Sequence, residues 1–526
     1  MIGAGAGVAN IPALLAATVA AGPERPAVVT DEGVVTWAEL DARSCEFAGA
    51  LVAAGVGAGD RVAIWSPNGV EWIVAVLGLF RAGAVLVPVN TRFKGTEAAV
   101  LLGRSGAKAL ITATDFLDTD YVALLAAADA DLPNLELTIV ARGPAPDGTV
   151  GWDDFLAGST AAAQAEADAR AAALSRDDPS DILFTSGTTG VPKGVVMTHG
   201  RTLGVATDWV AMTGLSADDR YLMVNPYFHM FGLKAGILAS VAAGATMYPE
   251  PVFDPDRALA RVAAEGITVL PGAPTIYQAL LDHPDRAAHD LSTLRVAVTG
   301  AADIPVELIR RVFDGLPFSV VVTGYGLTEA GTASATVPGD DAETVATTVG
   351  RPRPGFEVRI LDADAEVPVG EPGEIVLRGP TVMKGYLDDP AATAEALSPD
   401  GWLRTGDLGV LDERGNLRIV GRSKDMFIVG GFNAYPAEIE NLLLGHPDIA
   451  QAAVIGIPDA RLGEVGMAFL VPRAGATLDP DAVIAWSREH MANYKAPRAV
   501  EVVDALPVNA TGKVVKDELR ARAAGA

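Results

Sequence analysis

The segment best suited to chemistry runs from Thr185 to Gly194 and reads TSGTTGVPKG. It follows the apolar residues 182–184, which read as a strand. Its glycines let backbone N–H groups approach an anion closely, its hydroxyls add donors, and Lys193 adds a positive charge. It is not a Walker motif, because Gly-Lys-Ser/Thr does not follow the fourth spacer residue. The composition predicts a phosphate cradle, and a Gly/Thr-rich surface turn is the alternative.

Two further signals lie downstream. The stretch Gly324 to Glu329 follows an apolar strand at 320–322, and its glycines clear space for a ligand. Within it, Tyr325 offers a stacking face and Glu329 an oxygen for a divalent cation. Asp407 places a carboxylate where ribose hydroxyls could be held. Taken alone, a structural turn explains the first signal equally well, and an exposed turn aspartate explains Asp407 better.

The elements that must position these residues follow a strand–helix–strand rhythm in the first 130 residues. Residues 62–65 predict a buried strand, 72–81 a helix and 84–89 the next strand. This order predicts a parallel α/β layer structure. Residues 142–181, rich in Gly, Pro and Asp at the start and in Ala afterwards, predict a surface connection that includes a helix.

The alternation of strands and helices resumes from Ile182 to about Val322, with short strands predicted at 269–271 and 296–298. Lys234 lies in an apolar segment there, and we expect its side chain to snorkel to the surface. From Gly350, short strands with Gly and Pro turns predict a small β-rich subdomain. These include 358–361 and 374–378.

A final unit begins near Arg422 and mixes a helix at 436–444, a strand at 452–457 and a helix at 479–490. The predicted fold class is therefore α/β, with a large N-terminal domain of layered sheets and a small α+β C-terminal domain. The predicted boundaries are 1–421 and 422–526. No internal repeat is present.

Composition excludes several function classes. The 526 residues carry 40 basic and 66 acidic side chains, a net charge of −26, which disfavours a nucleic-acid partner. The single cysteine, Cys45, excludes an intramolecular disulfide framework and fits a cytoplasmic location. No apolar run approaches the roughly 18 residues of a membrane span, and no basic residue precedes Arg25 to indicate a secretory signal. Whether the chain forms a homodimer is left open.

Read together, the motifs resemble the adenylate-forming superfamily of acyl-CoA synthetases, luciferases and peptide-synthetase adenylation domains. The resemblance covers nearly the whole chain. Its ordered motifs are 185–194, 324–329, Asp407, GRSKD at 421–425, GGFN at 430–433 and NATGK at 509–513. It implies two half-reactions. A carboxylate and Mg-ATP give an acyl-adenylate and pyrophosphate, and the thiol of coenzyme A then displaces AMP.

A narrower resemblance concerns the acid. Residues 226–232 (PYFHMFG), 274–277 and 298–302 are similar to actinobacterial ligases that activate steroid ring-C/D propanoates. Related ligases act on other bulky acids, including those of terpenoid secondary metabolism. The acyl pocket is expected to use Tyr227, Met230, Phe231, Thr275, Tyr277 and Gly324. Its glycines and the flexible Met230 suggest room for a wide ligand.

The resemblance also assigns the cofactor-binding roles. The β- and γ-phosphates are expected to be bound by the residues of the phosphate segment: Thr185, Ser186, Gly187, Thr188, Thr189, Gly190 and Lys193. The α-phosphate falls to Thr328, magnesium to Glu329, adenine to Tyr325 and Ala302, and ribose to Asp407 and Arg422. Gly300, Ala301 and Gly326 complete the cofactor-binding set.

The last assignments concern the adenylation step, the hinge and the path of coenzyme A. Lys513 bridges the carboxylate and the α-phosphate, where negative charge builds up during adenylation. Lys424 matches the hinge of a mobile C-terminal domain, and Gly430 and Gly431 line the pantetheine tunnel. A solvated lysine is the alternative for Lys513. His229 is either a gate beside the acyl carboxylate or a hydrogen-bonded core histidine.

The sequence favours an acyl-CoA ligase for a bulky polycyclic or alicyclic acid. One alternative is a relative that performs a single half-reaction, or a stand-alone adenylation enzyme that passes the acyl group to another acceptor. Amino-acid adenylation enzymes usually carry aspartate near the position of His229, which argues against them here. A luciferase-type oxygenase and a ligand-binding relative with lost catalysis are the other rivals. The retained Lys513, Lys424 and Glu329 argue against full loss.

Overall fold

The structure is a computed structural model that describes residues 7–185, 192–300, 306–422, 425–429, 432–459, 461–509 and 513–525. The elements up to residue 185 are α1 (Ile11–Ala21), β1 (Pro26–Thr30), β2 (Gly33–Thr36), α2 (Trp37–Ala53), β3 (Arg61–Trp65), α3 (Val70–Arg81), β4 (Val85–Pro88), α4 (Gly95–Ser105), β5 (Ala109–Ala113), α5 (Tyr121–Ala127), β6 (Leu137–Arg142), β7 (Val150–Gly151), α6 (Trp152–Ala157), α7 (Ala161–Ala173) and β8 (Pro179–Thr185).

The α/β pattern continues after the phosphate segment. The elements here are β9 (Lys193–Thr198), α8 (His199–Thr213), β10 (Arg220–Met223), α9 (Met230–Gly232), a π-helix (Leu233–Leu238), α10 (Ala239–Ala243), β11 (Thr246–Pro249), α11 (Pro255–Glu265), α12 (Pro274–Asp282), a 3₁₀ turn (Arg286–Ala288), β12 (Val296–Thr299), α13 (Val306–Gly315), β13 (Val320–Leu327), β14 (Gly331–Ala335), α14 (Ala342–Thr347) and β15 (Arg351–Pro352).

The remaining elements are mostly strands. They are β16 (Glu357–Asp362), β17 (Ala365–Glu366), β18 (Gly373–Arg378), β19 (Gly385–Tyr386), α15 (Pro390–Ala396), β20 (Leu403–Leu411), β21 (Leu417–Arg422), β22 (Phe427–Val429), β23 (Phe432–Ala434), α16 (Pro436–Leu443), β24 (Ile449–Asp459), β25 (Gly463–Pro472), α17 (Pro480–His490), β26 (Ala499–Val502) and α18 (Lys516–Ala524).

An eight-stranded sheet carries the phosphate segment. Its order is β19-β9-β8-β4-β3-β5-β6-β7. The inner pairs β3–β4, β3–β5 and β4–β8 are parallel, whereas β9 and β19 add antiparallel strands at one edge. Residues of β3 and β5 are almost wholly apolar and buried, as expected for strands covered on both faces. The predicted strands at 62–65 and 84–89 and the helix at 72–81 are confirmed to within three residues.

Two four-stranded sheets build the rest of the α/β region, with the orders β10-β11-β1-β2 and β12-β13-β14-β15. Val269 forms isolated bridges with Tyr221 and Val296, which lie at the edges of these two sheets. The strand predicted at 269–271 is therefore reduced to single bridges. The side chains of Val269, Tyr221 and Val296 lie in one buried cluster that extends to Met223 and Val298.

The β-rich subdomain and the C-terminal unit are both present. The subdomain is an antiparallel sheet with the order β17-β16-β18-β20-β21. The C-terminal sheet has the order β23-β22-β25-β24, and β26 pairs with β25 in parallel. Helices α16 and α17 cover the face that buries Phe427, Val454 and Leu470. The predicted α/β fold class with an α+β C-terminal unit is confirmed.

Two expectations need correction. Lys234 does not snorkel: its side chain is 1% exposed, and its Nζ lies 2.8 Å from Asp181 Oδ1 in the core. The lysine can be buried because it pairs with an equally buried carboxylate in β8. Residues 142–181 are more than a surface connection, since Ala167 and Ala171 of α7 are buried and α7 packs on α2.

The helices also bear on membrane insertion. Within the part of the chain that the structure describes, none of them combines the length and the apolar character that a bilayer crossing requires.

Candidate active site

The predicted phosphate segment lies between β8 and β9 in the chain. Thr185 ends β8 and pairs in antiparallel register with Lys193, the first residue of β9. The two ends of the segment therefore lie side by side at one edge of the large sheet. The predicted phosphate-binding residues between them lie outside the described residues: Ser186, Gly187, Thr188, Thr189 and Gly190.

Lys193 and Glu329 lie on either side of a tyrosine that the sequence did not single out. The Nζ atom of Lys193 is 5.1 Å from the ring centroid of Tyr386. The Tyr386 hydroxyl donates to Glu329 Oε1 at 3.1 Å. Position 386 has no informative spacing from 193 or 329 in the sequence. It reaches them because β19 pairs with β9.

The turn that carries Thr328 and Glu329 joins β13 to β14. Gly326 faces the opposite strand so closely that a Cβ there would lie 2.6 Å from the Gly331 carbonyl oxygen. The Met383 N–H donates to the Glu329 carbonyl at 2.7 Å and fixes the turn from outside. Burial raises the pKa of the Glu329 carboxyl, because its charged form loses solvent.

The three residues predicted to hold the nucleoside meet in the structure. The Tyr325 hydroxyl donates to Asp407 Oδ2 at 2.6 Å, and Arg422 Nε lies 3.0 Å from Asp407 Oδ1. Asp407 and Arg422 are direct partners across β20 and β21. Burial raises the pKa of Tyr325 well above its usual range, so the hydroxyl stays protonated and donates. Ala301 and Ala302 lie outside the described residues.

His229 and Lys513 interact although 284 positions separate them in the sequence. His229 precedes α9, and its Nδ1 accepts the Phe231 N–H at 3.2 Å. Burial, and then the positive charge of Lys513, lower the pKa of His229 to about 4. The histidine is therefore neutral near pH 7.

Lys513 is presented by a small hairpin of the C-terminal unit. Val508 and Val514 form an antiparallel bridge, and Asn509 and Lys513 exchange hydrogen bonds of 2.8 and 2.9 Å. The lysine is half-buried, and its positive charge is close enough to His229 to help lower the pKa of that histidine. Lys424, Gly430 and Gly431, which the sequence assigns to the hinge and the tunnel, lie outside the described residues.

The predicted acyl-pocket residues do not all lie together. Met230 packs against both the cluster that contains Tyr227 and the cluster that contains Tyr325, so it joins the acyl segment to the nucleoside residues. Phe231 packs beside it, with its ring centroid 5.3 Å from that of Trp209. Tyr277 turns its hydroxyl to the Leu270 and Val298 carbonyls. Thr275 stands apart on an exposed turn of α12.

Gly300 and Gly324 lie at neighbouring positions, because β12 and β13 pair in parallel up to Thr299 and Thr323. A Cβ on Gly300 would lie 3.2 Å from the Gly324 carbonyl oxygen. A Cβ on Gly324 would lie 3.3–3.5 Å from atoms of Ser334, Thr332 and Ala335 in β14. The lack of side chains therefore lets these strands pack closely next to Tyr325.

Asn68 is a second residue that the sequence analysis missed. It is buried, and its amide donates to the carbonyls of Met223, Asn225 and Glu250 at 3.0–3.3 Å. Its Oδ1 accepts the Tyr227 N–H at 2.9 Å. One side chain from the loop after β3 thus fixes the start of the segment that leads to His229. An asparagine after a strand carries no sequence signal for such a role.

Comparison with protein-family models identifies both parts of the chain. Residues 15–387 match the family described as AMP-binding enzyme, and residues 438–513 match the AMP-binding enzyme C-terminal domain. The chain belongs to the AMP-binding enzyme family. The superfamily resemblance drawn from the motifs is confirmed.

Curated relatives in this family carry ligase names. A (7a-methyl-1,5-dioxo-octahydroinden-4-yl)propanoyl:CoA ligase of Mycobacterium tuberculosis is 52% identical over 512 residues, which cover 97% of this chain and 98% of that protein. A ligase of the same name from Rhodococcus jostii is 50% identical over 500 residues, covering 94% and 95%. These names confirm the narrower resemblance to ligases for steroid-derived propanoates.

Solved structures of AMP-binding enzymes share the fold along the whole chain. The anthranilate CoA ligase AuaEII, in complex with anthranoyl-AMP, superposes with a TM-score of 0.89 at 28% identity, covering 98% of this chain and 97% of that one. ATP-bound MatB from Rhodopseudomonas palustris gives 0.83 at 32% identity, with coverage of 98% and 99%.

The donors of the site fit a magnesium ion held together with phosphates. Magnesium usually binds through one or two carboxylates, with water and substrate phosphates filling the other positions. Glu329 offers one such carboxylate near Lys193, and its burial leaves a negative charge that a cation would compensate. Within the described part of the chain, groups of three or more His, Cys, Asp or Glu side chains with metal-binding geometry are absent.

Proposed function

We propose that this AMP-binding enzyme is an acyl-CoA ligase that joins a bulky polycyclic or alicyclic carboxylic acid to coenzyme A at the expense of ATP. The proposal rests on three placements: Lys513 of the C-terminal unit is close enough to His229 to help lower its pKa, His229 directly precedes Met230, and Met230 packs against the cluster that contains Tyr325. A cation from one unit and a neutral imidazole from the other frame the place where a carboxylate would meet the α-phosphate.

In the first half-reaction, a carboxylate oxygen of the acid attacks the α-phosphorus of ATP, and pyrophosphate leaves. Lys513 stabilises the negative charge that grows between the two reactants, because a fixed cation in a partly buried site needs no reorganisation. Thr185 and Lys193 hold the leaving phosphates, and Thr328 contacts the α-phosphate. Glu329 would hold magnesium, which when bound would supply positive charge for the leaving pyrophosphate.

In the second half-reaction, the thiolate sulfur of coenzyme A attacks the acyl carbon, and AMP leaves with the bonding electrons. Tyr325, Asp407 and Arg422 retain the nucleoside through both steps, since their contacts do not involve the reacting atoms. Gly430 and Gly431 line the pantetheine path. This step needs Lys513 to withdraw, because the thiol must reach the same acyl carbon.

The substrate that we propose is a ring-bearing propanoate, and a steroid-derived methyl-dioxo-octahydroindenyl propanoate is the first to test. Two observations support it: the names of the two relatives at about half identity, and the aromatic packing of Phe231. A rigid bicyclic group loses little conformational entropy on binding, whereas a long alkyl chain would be ordered at a cost.

The test measures the two half-reactions separately with a panel of acids. Pyrophosphate release reports adenylation, and thioester formation reports transfer. The panel holds the bicyclic propanoate, ferulate and palmitate. We expect kcat/KM for the bicyclic acid to exceed that for palmitate by at least 10-fold in both assays. Lys94→Ala, which changes an exposed lysine, should leave both values unaffected.

Three results would contradict the proposal. Faster reaction with palmitate than with any ring acid would overturn the substrate assignment. Pyrophosphate release without a thioester product would indicate an adenylating enzyme with another acceptor. Failure of both assays with every acid would overturn the ligase assignment.

A further inference from the structure

Lys193 and Glu329, two opposite charges of the predicted nucleotide site, contact the same tyrosine without forming an ion pair with each other. Lys193 Nζ lies over the Tyr386 ring at 5.1 Å from its centroid, and the hydroxyl of the same tyrosine donates to Glu329 Oε1 at 3.1 Å. Among the residues that the structure describes, Lys193 forms no ion pair with a carboxylate within 4.0 Å. One tyrosine side chain therefore contacts a cation through its ring and an anion through its hydroxyl.

The position of Tyr386 is fixed by its backbone. The segment 381–387 runs from the Glu329 turn to β9, and hydrogen bonds attach it to both. They join Thr381 Oγ1 to Ala330 O (2.6 Å), Met383 N to Glu329 O (2.7 Å), Lys384 N to Val196 O (3.0 Å) and Leu387 N to Gly194 O (2.7 Å). The Tyr386 N–H donates to Thr393 Oγ1 at 2.9 Å.

These contacts keep the lysine strand and the glutamate turn at a set separation. Attraction between unit charges grows as solvent is removed, and Glu329 is mostly buried. A direct Lys193–Glu329 pair would occupy the charges that the ATP phosphates and their cation require. The Tyr386 side chain can satisfy both groups at once, because an aromatic face attracts an ammonium while a phenol donates to a carboxylate.

We propose that Tyr386 is a positioning residue that prevents Lys193 from pairing with Glu329, so that the empty enzyme keeps its phosphate site open. The contact of an ammonium with a ring is weaker than its contact with a phosphate oxygen, so ATP displaces the ring without breaking a strong ion pair. The tyrosine acts on nucleotide affinity through the two charges and not by touching ATP.

This inference rests on the nucleotide site of the proposed function and is independent of the acid. Its test is therefore binding rather than turnover. The affinity of each purified full-length variant for a fluorescent ATP analogue is measured in EDTA, with thermal unfolding as a check of folding. If the wild-type enzyme fails to bind the analogue, the proposed function is at fault and not the role of Tyr386 alone.

The first expected result is a loss of affinity when the ring is removed. Tyr386→Leu should weaken metal-free binding at least fivefold, because Lys193 can then reach Glu329. Tyr386→Phe keeps the ring but frees the carboxylate, and we expect an intermediate loss of two- to threefold. Tyr121→Phe is the matched control, since it removes the hydroxyl of a buried tyrosine at the start of α5, which donates to the Thr91 carbonyl at 2.8 Å.

The decisive result comes from neutralising the glutamate. In an E329Q background the ion pair cannot form, so adding Y386L should change affinity less than twofold relative to E329Q alone. A structural or direct ATP-binding role would instead give the same loss in both backgrounds, and that outcome would overturn the proposal. If Y386L does not fold, Y386F with and without E329Q carries the same comparison, and an equal loss in both backgrounds overturns it.

Discussion

At the residue scale, Glu329 is the carboxylate on which the chemistry of the site depends most. Burial raises its pKa, which means that the protein alone stabilises its charge poorly and that a cation would lower the cost. Glu329→Gln preserves shape but removes this charge. We expect adenylation to slow roughly 100-fold or more, as measured by pyrophosphate release, while equilibrium binding of the acid is largely kept.

A nearby carboxylate provides the control for this change. Glu395 is exposed and lies close enough to Tyr386 to raise its pKa, but it makes no hydrogen bond to it. Glu395→Gln should leave pyrophosphate release within about twofold of the wild type, since a solvated charge at that distance is screened. Near-normal release by a folded E329Q protein would show that Glu329 does not hold the metal.

His199 gives a residue-scale prediction for stability. It is fully buried at the start of α8, where its Nδ1 accepts the Ile11 N–H, and burial lowers its pKa to about 4. The unfolded chain titrates near 6.5 and therefore binds the proton first as pH falls. Stability present above about pH 6.5 is thus lost between 6.5 and 4, by about 2 kcal/mol at pH 5.

His199→Asn removes this titration but retains a polar side chain. Urea unfolding at pH 7.5 and pH 5.0 should show that the variant loses about 2 kcal/mol less than the wild type between the two conditions. An identical loss in both proteins would assign the acid sensitivity to other groups.

At the element scale, a buried ion pair joins two elements that flank the site. Asp181 lies in β8, four residues before Thr185, and Lys234 lies in the π-helix that follows α9. Ser180 and Thr202 each donate to Asp181 Oδ2 at 2.6 Å. The phosphate strand and the acyl segment are therefore tied through one charged contact, and π-helical turns often occur at such functional places.

Breaking this pair should be costly, whereas replacing it should not. Lys234→Met leaves an uncompensated carboxylate in the core and is expected to destabilise the protein by about 3–5 kcal/mol in denaturant unfolding. Adding Asp181→Leu should restore much of the loss, because the buried charge is then gone. Asp218→Asn, which breaks an exposed pair with Arg25, should cost about 1 kcal/mol or less.

The elements also show what the sequence can predict. Strand β3 and helix α3 followed from apolar period and length, and the predicted helix at 479–490 is α17, Pro480–His490. The sequence did not predict the contacts between elements that are distant in the chain. Periodicity shows that Lys234 lies in an apolar stretch, but it cannot reveal that Asp181 of β8 pairs with it. It also gives no sign of the contacts of Tyr386 or Asn68.

The nucleotide residues show the same division. Tyr325, Asp407 and Arg422 were assigned from motifs, and the structure brings both Tyr325 and Arg422 within hydrogen-bond distance of Asp407. Their roles toward the nucleotide remain predictions. Thr275, assigned by the same kind of resemblance, lies on an exposed turn, because a motif gives position in the chain but not the face of the helix that turns inward.

At the scale of the whole molecule, the C-terminal unit presents Lys513 to the large domain. Within that unit, Lys516 Nζ lies 2.7 Å from Glu440 Oε1, and Arg520 pairs with Asp425 close to the predicted boundary at 422. These pairs hold α18 and the hairpin before it to the rest of the unit. Lys513 can therefore leave the site only if the unit moves as a whole or the hairpin unfolds.

This constraint leads to a prediction that separates the two half-reactions. Lys513→Ala removes the charge that assists adenylation but should spare thioester formation from supplied acyl-adenylate. Lys424→Pro, at the hinge that the family resemblance implies, fixes φ near −65° and restricts the preceding residue. A unit locked with Lys513 inward could still adenylate but could not admit the thiol, so Lys424→Pro should lose transfer to coenzyme A.

Each variant is given the acid with ATP, and then the preformed adenylate with coenzyme A. We expect a loss of at least 100-fold in the first assay for Lys513→Ala and in the second for Lys424→Pro, with the other assay within about 10-fold of the wild type. Lys94→Ala controls for loss of a lysine. If both variants lose the same half-reaction, the prediction is wrong. A single arrangement of the C-terminal unit, with Lys513 directed inward, would then serve both steps.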